Sequence, residues 1–171
     1  REQATGLSFA RSEGLAIASV DVFRSGLFSS DAGQPYRVDG VALENIDAAT
    51  LARHFQVDNG NPLVGVEQRS ALLRRLGQAL AGRPDLFGRA PARPNKLIDY
   101  FLSVADAGRI PASALLATLL DSLSSIWPSG LVIDGFPVGD AGRHPAGRTS
   151  DGTDGIVPFH KLSQWLTYSL L

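Results

Sequence analysis

The chain contains no cysteine. Within these residues disulfides, cysteine–zinc sites and thiol nucleophiles are excluded. Methionine is absent as well and the first residue is Arg1, so we expect the C-terminal part of a longer chain. Lysine is nearly missing: only Lys96 and Lys161 stand among 16 basic residues. Charge is scarce, at 19% of residues, and the net charge of −1 gives no electrostatic footprint for nucleic acid or an anionic membrane. No apolar run is long enough to cross a bilayer. These absences lead us to expect a cytoplasmic protein without nucleic-acid or membrane partners.

What is present is an ordinary globular mix with 44% apolar residues. That suffices for one domain with a sizeable core, and residues 1–171 read as one domain. Helical periodicity dominates. Ser12 is a candidate N-cap for a helix carrying Leu15, Ile17, Val20, Val22 and Phe23, with Gly26 as its stop. Residues 28–40, rich in Ser, Asp, Gly and Pro, read as an ordered loop. Asp47 caps a short helix over 48–55, and Asp58-Asn59-Gly60-Asn61-Pro62 is a turn.

A strong helix follows over about 64–80. It carries Leu72, Leu73, Leu76, Ala79 and Leu80 on one face and Arg69, Arg74, Arg75 and Gln78 on the other. Residues 82–95, with Pro84, Pro91 and Pro94, suggest a surface connection. Leu97, Ile98, Phe101, Leu102 and Ala105 mark another helix. Pro111 opens the next, which buries Leu115, Leu116, Leu119, Leu120 and Leu123 and closes at Trp127-Pro128. Leu131 to Val138, around Asp134-Gly135, reads as a small β-ribbon. Residues 139–155 read as a long polar loop, and a final helix runs from Pro158 through Leu162, Trp165, Leu166 and Leu170. The expected fold is mainly α with one small ribbon near 131–138.

No phosphate loop, dinucleotide glycine fingerprint, paired-His zinc helix or GxSxG elbow is present, so neither a cofactor nor a metal is expected. Polar chemistry concentrates in one block, from Gly139-Asp140-Ala141-Gly142-Arg143-His144-Pro145 to Asp154 and on to His160-Lys161. Asp154 precedes a proline-started helix, whose free N–H groups attract an anion. Simple structural roles compete with functional ones. Asp154 can be a cap, His144 and His160 surface residues, and Lys161 a solvated charge. Trp127 and Trp165 can be core or pocket-wall residues, and Glu13 a first-turn charge that suits the helix dipole.

The segment Val157-Pro158-Phe159-His160-Lys161-Leu162-Ser163-Gln164-Trp165-Leu166-Thr167-Tyr168-Ser169-Leu170 resembles the signature of the uracil-catabolism protein family of fungi and bacteria, a domain of unknown function. Three more stretches match it: Phe9 to Ala16, Asn61-Pro62-Leu63-Val64-Gly65 with Arg69 to Gly77, and Gly139-Asp140 with Arg143-His144-Pro145. Members are longer than this chain, which implies a missing N-terminal part and a short missing tail. The resemblance places the protein in degradation of uracil through ribosylated intermediates to urea. A more distant likeness, to queuosine-salvage N-glycohydrolases, rests on Asp154 with Val157 and Pro158, which match their Asp-x-x-Val-Pro segment. His160-Lys161 has no counterpart there. This likeness implies a helical, DNA-glycosylase-like domain.

The leading expectation is therefore hydrolysis of the N-glycosidic bond of a ribosylurea or a related ribosyl (phosphate) compound. Asp154 would be the carboxylate that stabilises an oxocarbenium-like state or activates water. His160, Lys161 or Asp140 would protonate the leaving nitrogen. Arg143, His144 and Lys161 would clamp phosphate, since guanidinium suits that group. Ser12 and Glu13 would reach ribose hydroxyls, and Trp127 or Trp165 would wall the pocket. The alternative is a non-catalytic nucleotide-binding or accessory protein of the same pathway. A third reading is a metal-dependent hydrolase built on Asp140, His144 and Asp154. Oligomeric state is not legible.

Overall fold

The computed structural model describes residues 6–9 and 11–171. Helix α1 spans Arg11–Arg24, with Ser12 inside the helix rather than at its cap. Its stop is as expected: Gly26 adopts φ +80°, and its N–H donates to the Phe23 carbonyl. A Cβ on Gly26 would lie 3.0 Å from the Cβ of Pro35, so the turn also packs too closely for a side chain.

The loop from Phe28 ends on Asp39, a buried carboxylate at 3% exposure. One oxygen of Asp39 accepts from the Ala42 N–H at 2.9 Å and caps α2, Gly40–Glu44. The other accepts from the Ser30 N–H at 2.7 Å and the Ser30 hydroxyl at 2.9 Å. Asp47 caps α3, Ala48–His54, through the Thr50 N–H at 2.7 Å. The Asp58 turn also forms, with its carboxylate accepting from the N–H groups of Gly60 and Asn61.

Helix α4, Val66–Gly82, is the centre of the molecule. It lies against α2 so closely that Gly77 and Gly40 meet backbone to backbone. Buried Ser70 donates its hydroxyl to the Ile46 carbonyl at 2.9 Å. The expected polar face of α4 is only partly solvated: the Arg75 Nε donates to the Ile126 carbonyl at 2.6 Å and fixes the 3-10 turn Ser124–Ile126 on α4.

Residues 82–95 are not a surface connection. They form α5, Pro84–Phe87, whose Leu86 and Phe87 are buried, and Ala92 is buried behind it. An apolar pair amid Arg and Pro is enough to turn this short segment inward, since burying each such side chain stabilises by about 2 kcal/mol. Helices α6, Lys96–Val104, and α7, Ala112–Leu123, follow the periodicity closely. Leu97, Phe101, Leu115 and Leu119 join Leu43, Ile46, Leu51, Leu80 and Phe87 in one core.

The C-terminal third carries two ribbons. Strands β1, Val132–Ile133, and β2, Phe136–Pro137, pair antiparallel around Asp134 and Gly135. Both turn residues have positive φ, at +50° and +84°, as a tight hairpin turn of this hand requires. The supposed long loop contains a second ribbon. Strands β3, Ala141–Arg143, and β4, Ile156–Pro158, pair with Gly142 opposite Val157. The last helix, α8, is Lys161–Leu170 and does not start at Pro158. The β-branched pair Ile156-Val157 carries the chain as strand through Pro158 instead. About half of the chain is helical, so the fold is mainly α. No helix among the described residues is long and apolar enough to cross a membrane.

Candidate functional site

The polar block divides into two neighbouring places joined by β3 and β4. The first is the turn that links these strands. The Asp154 carboxylate, about one-third exposed, pairs with the Arg148 Nε at 2.9 Å and accepts from the Thr149 N–H at 3.0 Å. Its main-chain carbonyl accepts from the Arg143 guanidinium. Asp154 is thus a turn residue bracketed by two arginines. It is not a helix cap, because β4 separates it from α8. The His144 Nδ1 accepts from the Ala146 N–H at 3.1 Å, and the His144 N–H donates to the Gly155 carbonyl at 2.7 Å.

Asp151 belongs to the polar block read from the sequence, which gave it no role of its own. It accepts from the Thr153 hydroxyl, from the Thr153 N–H at 2.8 Å and from the Thr149 hydroxyl at 3.0 Å. The Thr153 hydroxyl first, then these other donors, holds its carboxyl below the ordinary aspartate range. The Asp-x-Thr spacing was the available signal, since such a carboxylate turns back on the N–H two residues ahead.

The second place is an open cleft of about 270 Å³ between α7, β2 and the start of α8. Leu120, Asp121, Ser124, Pro137, Val138 and His160 line it. His160 stands at the head of α8 with φ +25°, a conformation that residues with side chains rarely adopt. Its Nδ1 is buried with no hydrogen-bond partner among the described residues. The ring lies against Gly139, where a Cβ would sit 3.2 Å from both His160 Cε1 and Ser124 Oγ. The Asp121 carboxylate is held at 2.6 Å by Arg83, which also pairs with Asp85 at 2.9 Å. Asp121 and Ser124 had no sequence motif to mark them.

Of the expected site residues, the fold brings Arg143 and Asp154 into contact. Asp140 bridges the two places through its main chain: its carbonyl accepts from the Phe159 and His160 N–H groups. Lys161 is exposed on the first turn of α8, and Trp127 is half-buried after the 3-10 turn. Trp165 is outside the core and does not line this cleft. It is 60% exposed and meets Tyr168 edge-on at 6.3 Å. Ser12 and Glu13 are exposed on α1. Among the described residues no three His, Asp or Glu side chains converge as a metal site, so Asp140, His144 and Asp154 do not form one.

Residues 1–171 match the family described as "Protein of unknown function (DUF1688)". The chain belongs to this family. The resemblance read from its segments is thereby borne out. Two curated relatives are similar over nearly its whole length. "Uracil catabolism protein 4" of Lachancea kluyveri is 40% identical over 173 residues, covering 96% of this chain and 39% of that protein. "Protein urg3" of Schizosaccharomyces pombe is 39% identical over 165 residues, covering 96% of this chain and 38% of that protein. The chain therefore spans less than two-fifths of the length of these relatives. No solved structure matches it.

Proposed function

We propose that this family member serves uracil catabolism, as a hydrolase that cleaves the N-glycosidic bond of a ribosylurea or a related ribosyl (phosphate) intermediate. One observation carries the pathway assignment: 40% identity, over 96% of the chain, to a relative named for uracil catabolism. The chemistry is assigned to the polar block. Water oxygen bonds to C1′ as the C1′–N bond breaks, and a proton passes to the departing nitrogen, releasing urea and the ribosyl moiety.

The Asp154 carboxylate either faces the oxocarbenium-like carbon or takes the proton from water. Its present partner Arg148 is 75% exposed, and an exposed ion pair stabilises by no more than about 1 kcal/mol, so substrate can displace it at small cost. Arg143 and His144 lie beside it on the same turn, where a phosphate would be met. His160, Asp140 or Lys161 supplies the proton to nitrogen.

The test is to incubate the protein with ribosylureas and assay free urea. Asp154→Asn is expected to abolish turnover while the melting temperature hardly moves. Wild-type activity in that variant ends the assignment.

A second reading has an observation in its favour. Arg143, Asp154 and Lys161 do not line the cleft, and the Asp154 carboxylate already has two partners. A module that binds a nucleotide-like ligand without chemistry needs no free carboxylate. Saturable binding of the same compounds without urea release would select it.

A further inference from the structure

The cleft between α7, β2 and the head of α8 has a polar pattern of its own. At about 270 Å³ it is smaller than the roughly 300–1,000 Å³ of a pocket for a whole small molecule, so it fits one functional group of a larger ligand. Leu120, Pro137 and Val138 give it apolar walls.

Its hydrogen-bonding capacity is almost all acceptor. Ser124 donates its hydroxyl to the Leu120 carbonyl, which leaves the Ser124 oxygen as an acceptor. Asp121 gives one carboxylate oxygen to Arg83 at 2.6 Å, and the other takes no hydrogen bond among the described residues. The main chain of β2 adds no donor: Pro137 has no N–H, and Val138 donates its own to the Leu131 carbonyl at 3.0 Å. No lysine or arginine lines the cleft to attract an anion. The charge of Asp121 is already matched by Arg83, which weakens its pull on a second cation.

His160 supplies the missing donor. Its Nδ1 is sealed and unpartnered among the described residues. A sealed lone pair is better tolerated than a sealed N–H, so the ring proton belongs on Nε2, beside the Cε1 that approaches Gly139. A Cβ on Gly139 would lie 3.2 Å from both that Cε1 and the Ser124 Oγ, so ring and hydroxyl converge on one point. Asp121 stands three residues before Ser124, on the same face of the helical turn. The strained φ of +25° at His160 holds the ring there, and such strain gathers at ligand sites.

We propose that this cleft binds a neutral carboxamide or ureido group. Its N–H groups donate to Asp121 and Ser124, and its carbonyl oxygen accepts from the His160 Nε2–H. Its flat faces rest on Leu120, Pro137 and Val138. One acceptor beside two donors in a single plane is the complement of these three polar side chains. The claim concerns binding alone and holds whether or not Asp154 performs hydrolysis.

The test is a titration of the protein with acetamide and with methylurea, followed in proton–nitrogen spectra. Binding is expected with dissociation constants in roughly the millimolar range, as so few atoms allow. The shifts should centre on the amides of 120–124 and 138–139 and on the His160 ring. The tighter of the two compounds tells a carboxamide from a ureido ligand. N,N-Dimethylacetamide keeps the carbonyl but has no N–H, and acetate carries a charge; both should bind at least about tenfold more weakly than acetamide. Asp121→Ala should weaken acetamide about tenfold and Ser124→Ala about fivefold, by one hydrogen bond each. Asp121 is exposed and Arg83 keeps Asp85, so circular dichroism should not change in the first variant. Asp154→Asn should leave amide binding as it is, so failure of this claim and failure of the hydrolysis reading are separate results.

Five outcomes would overturn the proposal. They are no saturable shift with either compound, shifts centred on 144–154, dimethylacetamide or guanidinium binding as tightly as acetamide, wild-type affinity in Asp121→Ala, and a His160 ring proton found on Nδ1.

Discussion

A Cβ placed on Gly77 would lie 2.6 Å from the carbonyl oxygen of Gly40 and 2.7 Å from Cγ of Glu44. Helices α2 and α4 therefore approach through bare backbone, and any side chain at Gly77 must push them apart. Overpacking of a buried contact costs about 1–3 kcal/mol, more than the helix-propensity gain of about 1 kcal/mol from Gly to Ala. Gly77→Ala should therefore lower the urea midpoint. Gly82, at the end of the same helix, has no heavy atom within 4 Å of its would-be Cβ. Gly82→Ala should leave the midpoint unchanged or raise it. Equal effects at the two sites would contradict the close approach.

Asp39 should govern part of the acid limb of stability. Burial works to raise its pKa, but hydrogen bonds from the Ser30 N–H, the Ala42 N–H and the Ser30 hydroxyl prevail and hold it below the ordinary value of 3.8. A carboxyl depressed on folding contributes stability that is fully present above its unfolded pKa and is lost as pH falls through the folded one. Asp39→Asn should therefore cost about 2 kcal/mol near neutrality and flatten the decline in denaturation midpoint below about pH 4. A variant with the wild-type pH slope would show that Asp39 is not the group responsible.

Arg75 should prove structural despite its charge. Its Nε donates to the Ile126 carbonyl at 2.6 Å, between α4 and the 3-10 turn. Arg75→Leu keeps the stem but leaves that carbonyl unpaired, at a cost of about 1–3 kcal/mol. The replacement should also speed amide exchange in residues 124–127 before exchange in α4 changes. Uniform acceleration across both would argue against a local clamp.

Gly139 should be intolerant of any side chain. It holds φ +72°, and a Cβ would meet the His160 ring and the Ser124 hydroxyl at 3.2 Å. Gly139→Ala should cost about 1–3 kcal/mol and shift the His160 ring resonances in a proton–nitrogen spectrum. Unmoved ring resonances would mean that the ring does not rest on Gly139.

Much of the helical half was legible because its signals are local. Leu72, Leu76 and Leu80 recur at helical spacing, Asp47 is a cap by chemistry, and Asp134-Gly135 turns a ribbon whatever surrounds it. The misses share one cause, which is that tertiary partners decided the outcome. Leu86 and Phe87 look like part of an Arg- and Pro-rich connection until the core is there to receive them. Gly40 starts a helix only because Asp39 is held by Ser30 and can cap it. Pro158 can open a helix or end a strand, and Ala141, seventeen residues earlier in the sequence, supplies the strand partner that decides it. The outward face of α8 was least legible, since periodicity gives a stripe but not the side to which it turns. Asp121 and Ser124 entered the cleft by folding alone.

The two ribbons are short and separate, each with a single pair of strands. Isolated two-stranded ribbons are marginal in water, whereas the α2–α4 contact lies against the buried core of Leu43, Ile46 and Leu80. The free energy for opening should therefore be graded along the chain, with 129–158 breathing well before the helices unfold. Arg143, Arg148, Asp151 and Asp154 would then sit on the part of the molecule that can reshape around a ligand without disturbing what keeps it folded.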